Sequence, residues 1–426
     1  MTLFLFKRIF TRMKHDLESV DRTVLPGGLR VVTEHISSVR SLSVGIWVKT
    51  GSRHETEDQA GITHFLEHML FKGTETRSAF DIAQSMEAVG GFLNAFTGNE
   101  HTCYYARCLD SELEKAINVL SDMVLHSTFP EEELKKEKKV VIEEMKMYRD
   151  SPDDVVFEEF SKQIFSPHPL GRPIIGSEKT VNSFTREDLY AYMHTQYEPA
   201  SLIVSVAGNA DHQTVVDLVQ KAFDRRYEGP AMPDLSTLPE YTPSERTITK
   251  KIEQTHMIVG RRALSNDDPQ RYSLLLANTV LGGGMSSRLH QNIREKFGYC
   301  YAISSFHQAF LDSGMFAVYV GTDQEYASHV RELVNQEFNT LRETHIPDIE
   351  FSEAKTQLKG KLLLAQENMS NRMTRLAKSE IYFDRYVPLD ELVRDIDAVT
   401  TEDVRSFSES FFNPEQFSTT LLVPES

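Results

Sequence analysis

The feature that most constrains this chain is a repeat. FPEEELKKEKKVVIEEM at 129–145 lines up with IPDIEFSEAKTQLKGKLLL at 346–364, and TREDLYAYMHTQYEPASLIVSVAGN at 185–209 with TTEDVRSFSESFFNPEQFSTTLLVP at 400–424. Prolines mark the spacing: Pro130 answers to Pro347 and Pro199 to Pro414, at nearly the same offset. A near-constant offset at two distant places is the mark of a duplication. The 426 residues should therefore hold two similar domains, in keeping with about 100–200 residues per domain. Between them, 227–246 carries Pro230, Pro233, Pro239 and Pro243 and reads as an extended linker. The expected division is a frayed N-terminus over 1–19, a first domain over 20–226, the linker, and a second domain over 247–426.

Each half mixes strand and helix signals. LRVVTEH and SLSVGIWVKTG read as strands. DIAQSMEAVG reads as a helix closed by Gly90 and Gly91, and FLNAFTGNEHTCYYARCL as a hairpin turning near Gly98–Asn99. In DSELEKAINVLSDMVLH, Leu113, Ala116, Val119 and Leu120 have helical spacing after an Asp110–Ser111 cap. Pro130 opens a long helix, PEEELKKEKKVVIEEMKMYRD. The expected class is α+β, each domain an antiparallel sheet with helices packed on it.

Composition narrows the partners. A formal charge of −17 is the wrong sign for nucleic acid, whose binders carry a basic face. Three cysteines, Cys103, Cys108 and Cys300, are too few and too uneven for a disulfide framework and fit a reducing compartment. The cytoplasm is expected, with the mitochondrial matrix as the alternative. The opening MTLFLFKRIFTRMK has an apolar part too short for a membrane span and lacks the order of a secretory signal; a short basic transit segment is the other reading. No membrane association is expected.

Chemistry concentrates in AGITHFLEHMLFKG. Ile62, Phe65, Leu66, Met69 and Leu70 give it helical periodicity, so His64 and His68 stand one turn apart on one face. Two imidazoles so placed can share one Zn²⁺ at about 2.0–2.1 Å. Glu67 reaches the same face and can take a proton from metal-activated water. Alone, the pentad is equally compatible with two surface histidines. A third ligand decides, because catalytic zinc takes three protein ligands and an open position. The helix from Pro130 offers one: Glu137 and Glu144, two helical turns apart, share a face flanked by Val140, Val141 and Ile142, where a part-buried carboxylate needs a partner. The rest of that helix, Glu131 to Lys139, suits a solvated surface.

With His64, Glu67, His68, Glu137 and Glu144 in place, the sequence resembles the M16 metallopeptidases. These are the inverted-zincin group of pitrilysin, insulin-degrading enzyme and the mitochondrial processing peptidase, with HxxEH as signature. In the family the liganding Glu follows the signature about 75 residues later, and Glu144 stands at that distance from His68. The segments GSRHETEDQAGITHFLEHMLFKGT, GGFLNAFTGNEHTCYYARCL, HPLGRPIIG and NIREKFGYCYAISS are similar to family segments in family order, so the likeness covers nearly the whole chain.

The resemblance implies the M16B subfamily, near the beta-type and bacterial processing peptidases, with a LuxS/MPP-like metallohydrolase fold. It implies one zinc per chain on His64, His68 and Glu144, with Glu67 activating water and Glu137 supporting the site; Glu143 should be surface. Asn94, Ala95 and Phe96 match the edge strand on which an extended peptide docks through main-chain bonds, where the residues alone read equally as an ordinary hairpin. Asp154 and Glu158, at i and i+4, match the carboxylates that hold an arginine near the cleaved bond; by themselves they read as a solvated acidic turn. The second half has no HxxEH. There Arg294 and either Tyr299 or Tyr301 match the pair that completes the site, the tyrosine donating to a developing oxyanion. With only two domains, a homodimer is expected to enclose the peptide substrate, a heterodimer with a non-catalytic homologue being the alternative. The rival function is a non-catalytic scaffold subunit, which the complete metal set disfavours.

Overall fold

The computed structural model describes residues 19–223 and 237–425. Most of the expected frayed start (1–18) and the proline-rich stretch up to 236 lie outside the described residues. Strands form where β-branched and aromatic residues cluster between turns. The first sheet contains β1 (Ser19–Val24), β2 (Arg30–His35), β3 (Ser41–Val48), β4 (Phe92–Thr97), β5 (Thr102–Leu109) and β6 (Leu202–Gly208), in the order β1-β2-β6-β3-β5-β4. The second contains β7 (Glu245–Lys250), β8 (Thr255–Ala263), β9 (Cys300–Ala309), β10 (Gly314–Thr322) and β11 (Ser418–Pro424), in the order β7-β11-β8-β10-β9. Removing β1 makes the two orders identical. β7 starts at Glu245, just inside the stretch read as linker.

Neither sheet is wholly antiparallel, which corrects the expectation. β6 runs parallel to β2 and β11 parallel to β7. In each half the last strand follows a long series of helices that carries the chain back across the sheet, so it enters in the direction of the first. A smaller correction concerns Asp110 and Ser111. They form a short 3₁₀ turn, Asp110–Glu112, ahead of the helix Leu113–His126, and do not cap it. The Asp110 carboxylate instead accepts from Asn209 Nδ2 at 2.6 Å.

The halves are interlocked by two exchanged helices. On one face of the first sheet, Leu42, Val44, Ile46 and Val48 of β3 join the core formed by that half's own helices. The opposite face, with Val32, Trp47, Cys103 and Ile203, is covered by Met373, Leu376, Ala377 and Ile381 of the helix Met369–Phe383 from the second half. Reciprocally, Val156, Phe160, Ile164 and Phe165 of the first-half helix Pro152–Phe165 cover Ile258, Ala317 and Leu422 of the second sheet. Phe160 and Phe165 are fully buried there, each contributing about 1.5–3 kcal/mol by burial. The contact needs glycine on both sheets: a Cβ on Gly45 would lie 2.5 Å from Met373 Sδ, and one on Gly260 2.5 Å from Phe160 Cζ. Among the described residues no helix is long and apolar enough to cross a membrane.

Candidate active site

The helix Ile62–Leu70 buries Ile62, Phe65, Leu66, Met69 and Leu70 in the first core and turns His64, Glu67 and His68 the other way. Its start is fixed by Glu55, whose buried carboxylate accepts the N–H groups of Gly61 (2.8 Å) and Thr63 (2.9 Å), donors that a first turn leaves unpaired. Gly61 has φ 93° and a Cβ there would lie 2.6 Å from Ile175 O; only glycine fits. The second carrier is the helix Glu131–Asp150, which buries Leu134, Glu137, Val141 and Met145. Glu143 faces solvent and pairs with Lys146.

The two helices bring His64, His68 and Glu144 together. The imidazole centroids are 4.7 Å apart. Glu144 Oε1 is 3.8 Å from His64 Nε2, and Oε2 is 3.5 Å from His68 Nε2. Ligand atoms held about 2.0–2.2 Å from a tetrahedral ion lie about 3.3 Å from one another, so the trio fits a metal with little movement. Glu144 Oε2 and His64 Nδ1 are buried without a hydrogen-bond partner. Among the described residues this is the one group of His, Cys, Asp and Glu side chains with metal-binding spacing.

The protonation state of His64 suits the same use. Burial, and then the neighbouring His68, push His64 down to about 3, which keeps it neutral with a lone pair to offer. His68 is oriented from behind: its Nδ1 lies 2.9 Å from Glu137 Oε1, and Glu137 Oε2 is 2.8 Å from Lys72 Nζ. With Nδ1 turned to Glu137, Nε2 is the ring nitrogen that faces Glu144. Burial pulls His68 down, but the Glu137 hydrogen bond and the charges of Glu144, Glu137 and Glu67 outweigh it and hold it up. Burial would raise Glu137, but donation from His68 and Lys72 keeps it ionised, below the usual carboxylate range. Burial raises Glu67, partly offset by a hydrogen bond from Thr97.

These groups open into a cavity of about 680 Å³. One wall is β4, which among the described residues pairs only with β5 and forms an open edge of its sheet. Ala95 and Phe96 line the cavity. Asn94 does not; its Oδ1 accepts the Ala95 N–H at 2.9 Å, which marks that amide as one β5 does not use. Asp154 and Glu158 line the cavity as well, and burial followed by the charge of Glu159 raises Glu158.

Arg294, Tyr299 and Tyr301 do not reach this cavity in their own chain. They line a separate one of about 370 Å³ in the second half. Arg294 sits in a π-helical turn, His290–Glu295, donating to His290 Nε2 (2.7 Å) and Tyr301 O (3.0 Å). Tyr299 stacks on Phe297 and Tyr326, while Tyr301 is 79% exposed. The reason is strand length. Phe306 and Gln308, near the other end of β9, do line the cavity beside His64 and His68, and the run of strand from Tyr301 to Gln308 spans about 23 Å.

Sequence reasoning missed several lining residues. Tyr148 stands one helical turn beyond Glu144, a spacing that could have revealed it. Thr97 follows directly on Asn94–Phe96. Phe306, Gln308 and Met315 come from the second half and carry no local signal. Arg53, which lies outside the cavity, carries none either; its side chain is fully buried between two hairpin turns, with Nη1 2.7 Å from Glu100 Oε1 and Nη2 2.5 Å from Asp312 Oδ2.

Comparison with known proteins agrees with this geometry. The family model described as Insulinase (Peptidase family M16) matches residues 30–178, and that of the Peptidase M16 inactive domain matches 183–358. The chain is 42% identical over 405 residues to the uncharacterized zinc protease YmxG of Bacillus subtilis, covering 95% of this chain and 98% of that protein. It is 36% identical over 397 residues to an uncharacterized zinc protease of Rickettsia felis, covering 93% and 96%. In fold it is similar to the crystal structure of a protease from Helicobacter pylori, with a TM-score of 0.91 at 22% identity over 96% of this chain and 100% of that one. A putative M16-like peptidase from Alicyclobacillus acidocaldarius gives 0.84 at 20% identity over 96% and 99%. The chain belongs to the M16 family of metallopeptidases.

Proposed function

We propose that this chain is a zinc-dependent endopeptidase of the M16B type, cutting extended or unfolded peptides docked along β4 and favouring a basic side chain near the cleaved bond. The observation that carries the reading is the His64–His68–Glu144 trio on a cavity walled by an open sheet edge. Zinc, when bound, supplies a Lewis acid for the peptide carbonyl and an acidified water. The protein's own groups do the rest. Glu137 and Lys72 hold His68 in the tautomer that presents Nε2. Glu67 takes the proton from the attacking water and returns it to the leaving amine. The β4 main chain aligns the peptide by strand addition. Asp154 and Glu158 offer two carboxylates to a guanidinium or ammonium. Cys103, Cys108 and Cys300 are free thiols, in keeping with a reducing compartment such as the cytoplasm.

The active form in this reading is a homodimer. Tyr301 is exposed and about a strand length from the cavity of its own chain, which supports delivery of the Arg294/tyrosine segment to a second copy. Enclosure would also strengthen every electrostatic contact in the cavity.

A digest of a mixed peptide pool, read by mass spectrometry, tests the activity. Cleavage abolished by chelator and restored by zinc is expected, with Arg and Lys enriched near the cut bonds. No chelator-sensitive cleavage would sink the peptidase reading, and a flat residue distribution the preference alone. For assembly, inactive Glu67→Gln protein is mixed with inactive Tyr299→Phe/Tyr301→Phe protein. Returning activity supports supply across the dimer; no return points to a tyrosine acting within its own chain, and a Tyr299→Phe/Tyr301→Phe protein that is itself fully active would leave the role to Tyr148, which already lines the cavity.

A further inference from the structure

The side chain of Thr97 ties two parts of the site that the reading above treats separately. Its Oγ1 donates to Glu67 Oε2 at 2.5 Å. Thr97 is the last residue of β4, paired with Thr102 of β5, while Glu67 belongs to the helix that carries both histidines. Both line the same cavity. The strand that would receive a peptide is thus bonded to the group that would move the proton.

Three features make this more than a chance contact. A glutamate has three soft torsions, and a part-buried carboxylate with no donor has nothing to choose among its rotamers. Threonine is stiff at χ1, so the place of its hydroxyl is set by the strand backbone. A carboxylate has two oxygens; one donor takes Oε2 and leaves Oε1 for water.

We infer that Thr97 is a positioning residue, pinning one oxygen of Glu67 so that the base is aligned by the same strand on which the peptide docks. The inference rests on the peptidase reading. Thr97 sits two residues past Ala95, on the same side of the strand, so an occupied β4 and an aligned Glu67 are parts of one arrangement.

Thr97→Val keeps the branched shape and removes the donor. The expected result is a fall in kcat of about 10- to 100-fold, the scale of a misplaced catalytic group, with KM within about twofold and zinc stoichiometry unchanged. Thr97→Ser restores the donor and should recover most of kcat, less completely because serine is freer at χ1. Wild-type kcat in Thr97→Val, or a loss carried by KM or by zinc content, overturns the inference. A readout without turnover runs beside it: thermal unfolding of the zinc-loaded protein for Thr97→Val, Glu67→Ala and the pair. Thr97→Val should lower Tm in the wild-type background and leave it unchanged in Glu67→Ala. Strictly additive shifts would also overturn the inference. If the wild-type protein cuts no peptide while the cycle is non-additive, the peptidase reading has failed and the Thr97–Glu67 bond stands.

Discussion

β3 in the first half and β8 in the second are each pressed by a helix from the other half, at Gly45 and Gly260. These two glycines stand at the same offset as Pro199 and Pro414. The pressing helices begin at Pro152 and Met369, at the same offset as Pro130 and Pro347. Packing has therefore kept the duplication almost position by position. Chemistry has not. In the register that sets Pro130 against Pro347, Glu137 and Glu144 correspond to Ala354 and Lys361. Ala354 is buried, and Lys361 Nζ donates to Gly283 O at 2.8 Å. The second-half helix Arg271–Gly282 buries Leu274, Leu276, Ala277, Val280 and Leu281 and has neither histidine nor carboxylate. The lesson is that the ligand face of the glutamate helix carries little of the fold. Its positions can be filled by an apolar residue and a lysine without loss of the architecture, so the fold itself does not require Glu137 and Glu144 there.

The largest expected effect follows from that contrast. His64→Ala, His68→Ala or Glu144→Gln should abolish zinc retention, measured by atomic absorption after dialysis, while leaving far-UV circular dichroism unchanged. Glu67→Gln should retain zinc and lose about 10²- to 10⁴-fold in kcat, the range for removing a general base. A metal-free Glu67→Gln protein, or an unfolded His68→Ala protein, would break the separation of scaffold from chemistry.

A smaller effect sharpens the likeness of the two interfaces. At Gly260 a new Cβ would meet Ala317 Cβ and Phe160 Cζ at 2.5 Å and the backbone oxygen of Phe316 at 2.6 Å. At Gly45 it would meet Met373 Sδ at 2.5 Å, the middle of an unbranched chain that can repack, and the indole Nε1 of Trp47 at 2.7 Å, with no backbone atom among the three nearest. Gly260→Ala should therefore cost about 3 kcal/mol and Gly45→Ala about 1 kcal/mol, the two ends of the overpacking range, read by denaturant unfolding. Equal costs would mean that the exchanged helices are held alike after all.

What could be read in advance divides along the same line. His64, Glu67, His68, Glu137 and Glu144 could be singled out because helical periodicity places positions three, four and seven apart on one face and the resemblance to M16 segments then implies their roles. β4 was legible as half of a hairpin, and its position at the sheet edge agrees with the expected docking strand. The exchange of helices was not legible. Pro152–Phe165 has an ordinary apolar stripe, and nothing local says that the stripe belongs to the other half's sheet. The parallel pairing of β6 with β2 was hidden for the same reason, since a strand carries no mark of its neighbour. Arg294 and the tyrosines were placed by likeness to a segment, which gives no distance along β9. Thr97 was within reach, directly beyond Asn94–Phe96, but its importance depends on a contact with Glu67.

The smallest expected effect concerns the loops that follow the two comparable helices. In the first half, Asp122 Oδ2 accepts from Thr74 Oγ1 (2.7 Å), Thr76 Oγ1 (2.9 Å) and Arg77 Nη1 (2.5 Å), locking the turn after the histidine helix. In the second half the loop near Gly283 is held by the Lys361 ammonium on a backbone carbonyl, a bond with no proton to gain as the pH falls. Burial would raise the Asp122 carboxyl, but donation from Thr74, Arg77 and Thr76 and the charge of Arg77 outweigh it and hold it below the usual range. A depressed folded-state value stabilises the fold fully above the unfolded carboxylate value of about 3.9. That contribution disappears as the pH falls through the folded-state value. Acid should therefore loosen residues 74–77 before residues 282–287, as read by the hydrogen-exchange protection of the two segments at neutral and low pH. Asp122→Asn should lower Tm by about 2–4 °C at neutral pH, the scale of about 1 kcal/mol for a chain of this kind, with the difference from wild type shrinking toward zero in acid. A constant Tm difference across the titration, or simultaneous loss of protection in both loops, would show that the Asp122 charge does not distinguish the two halves.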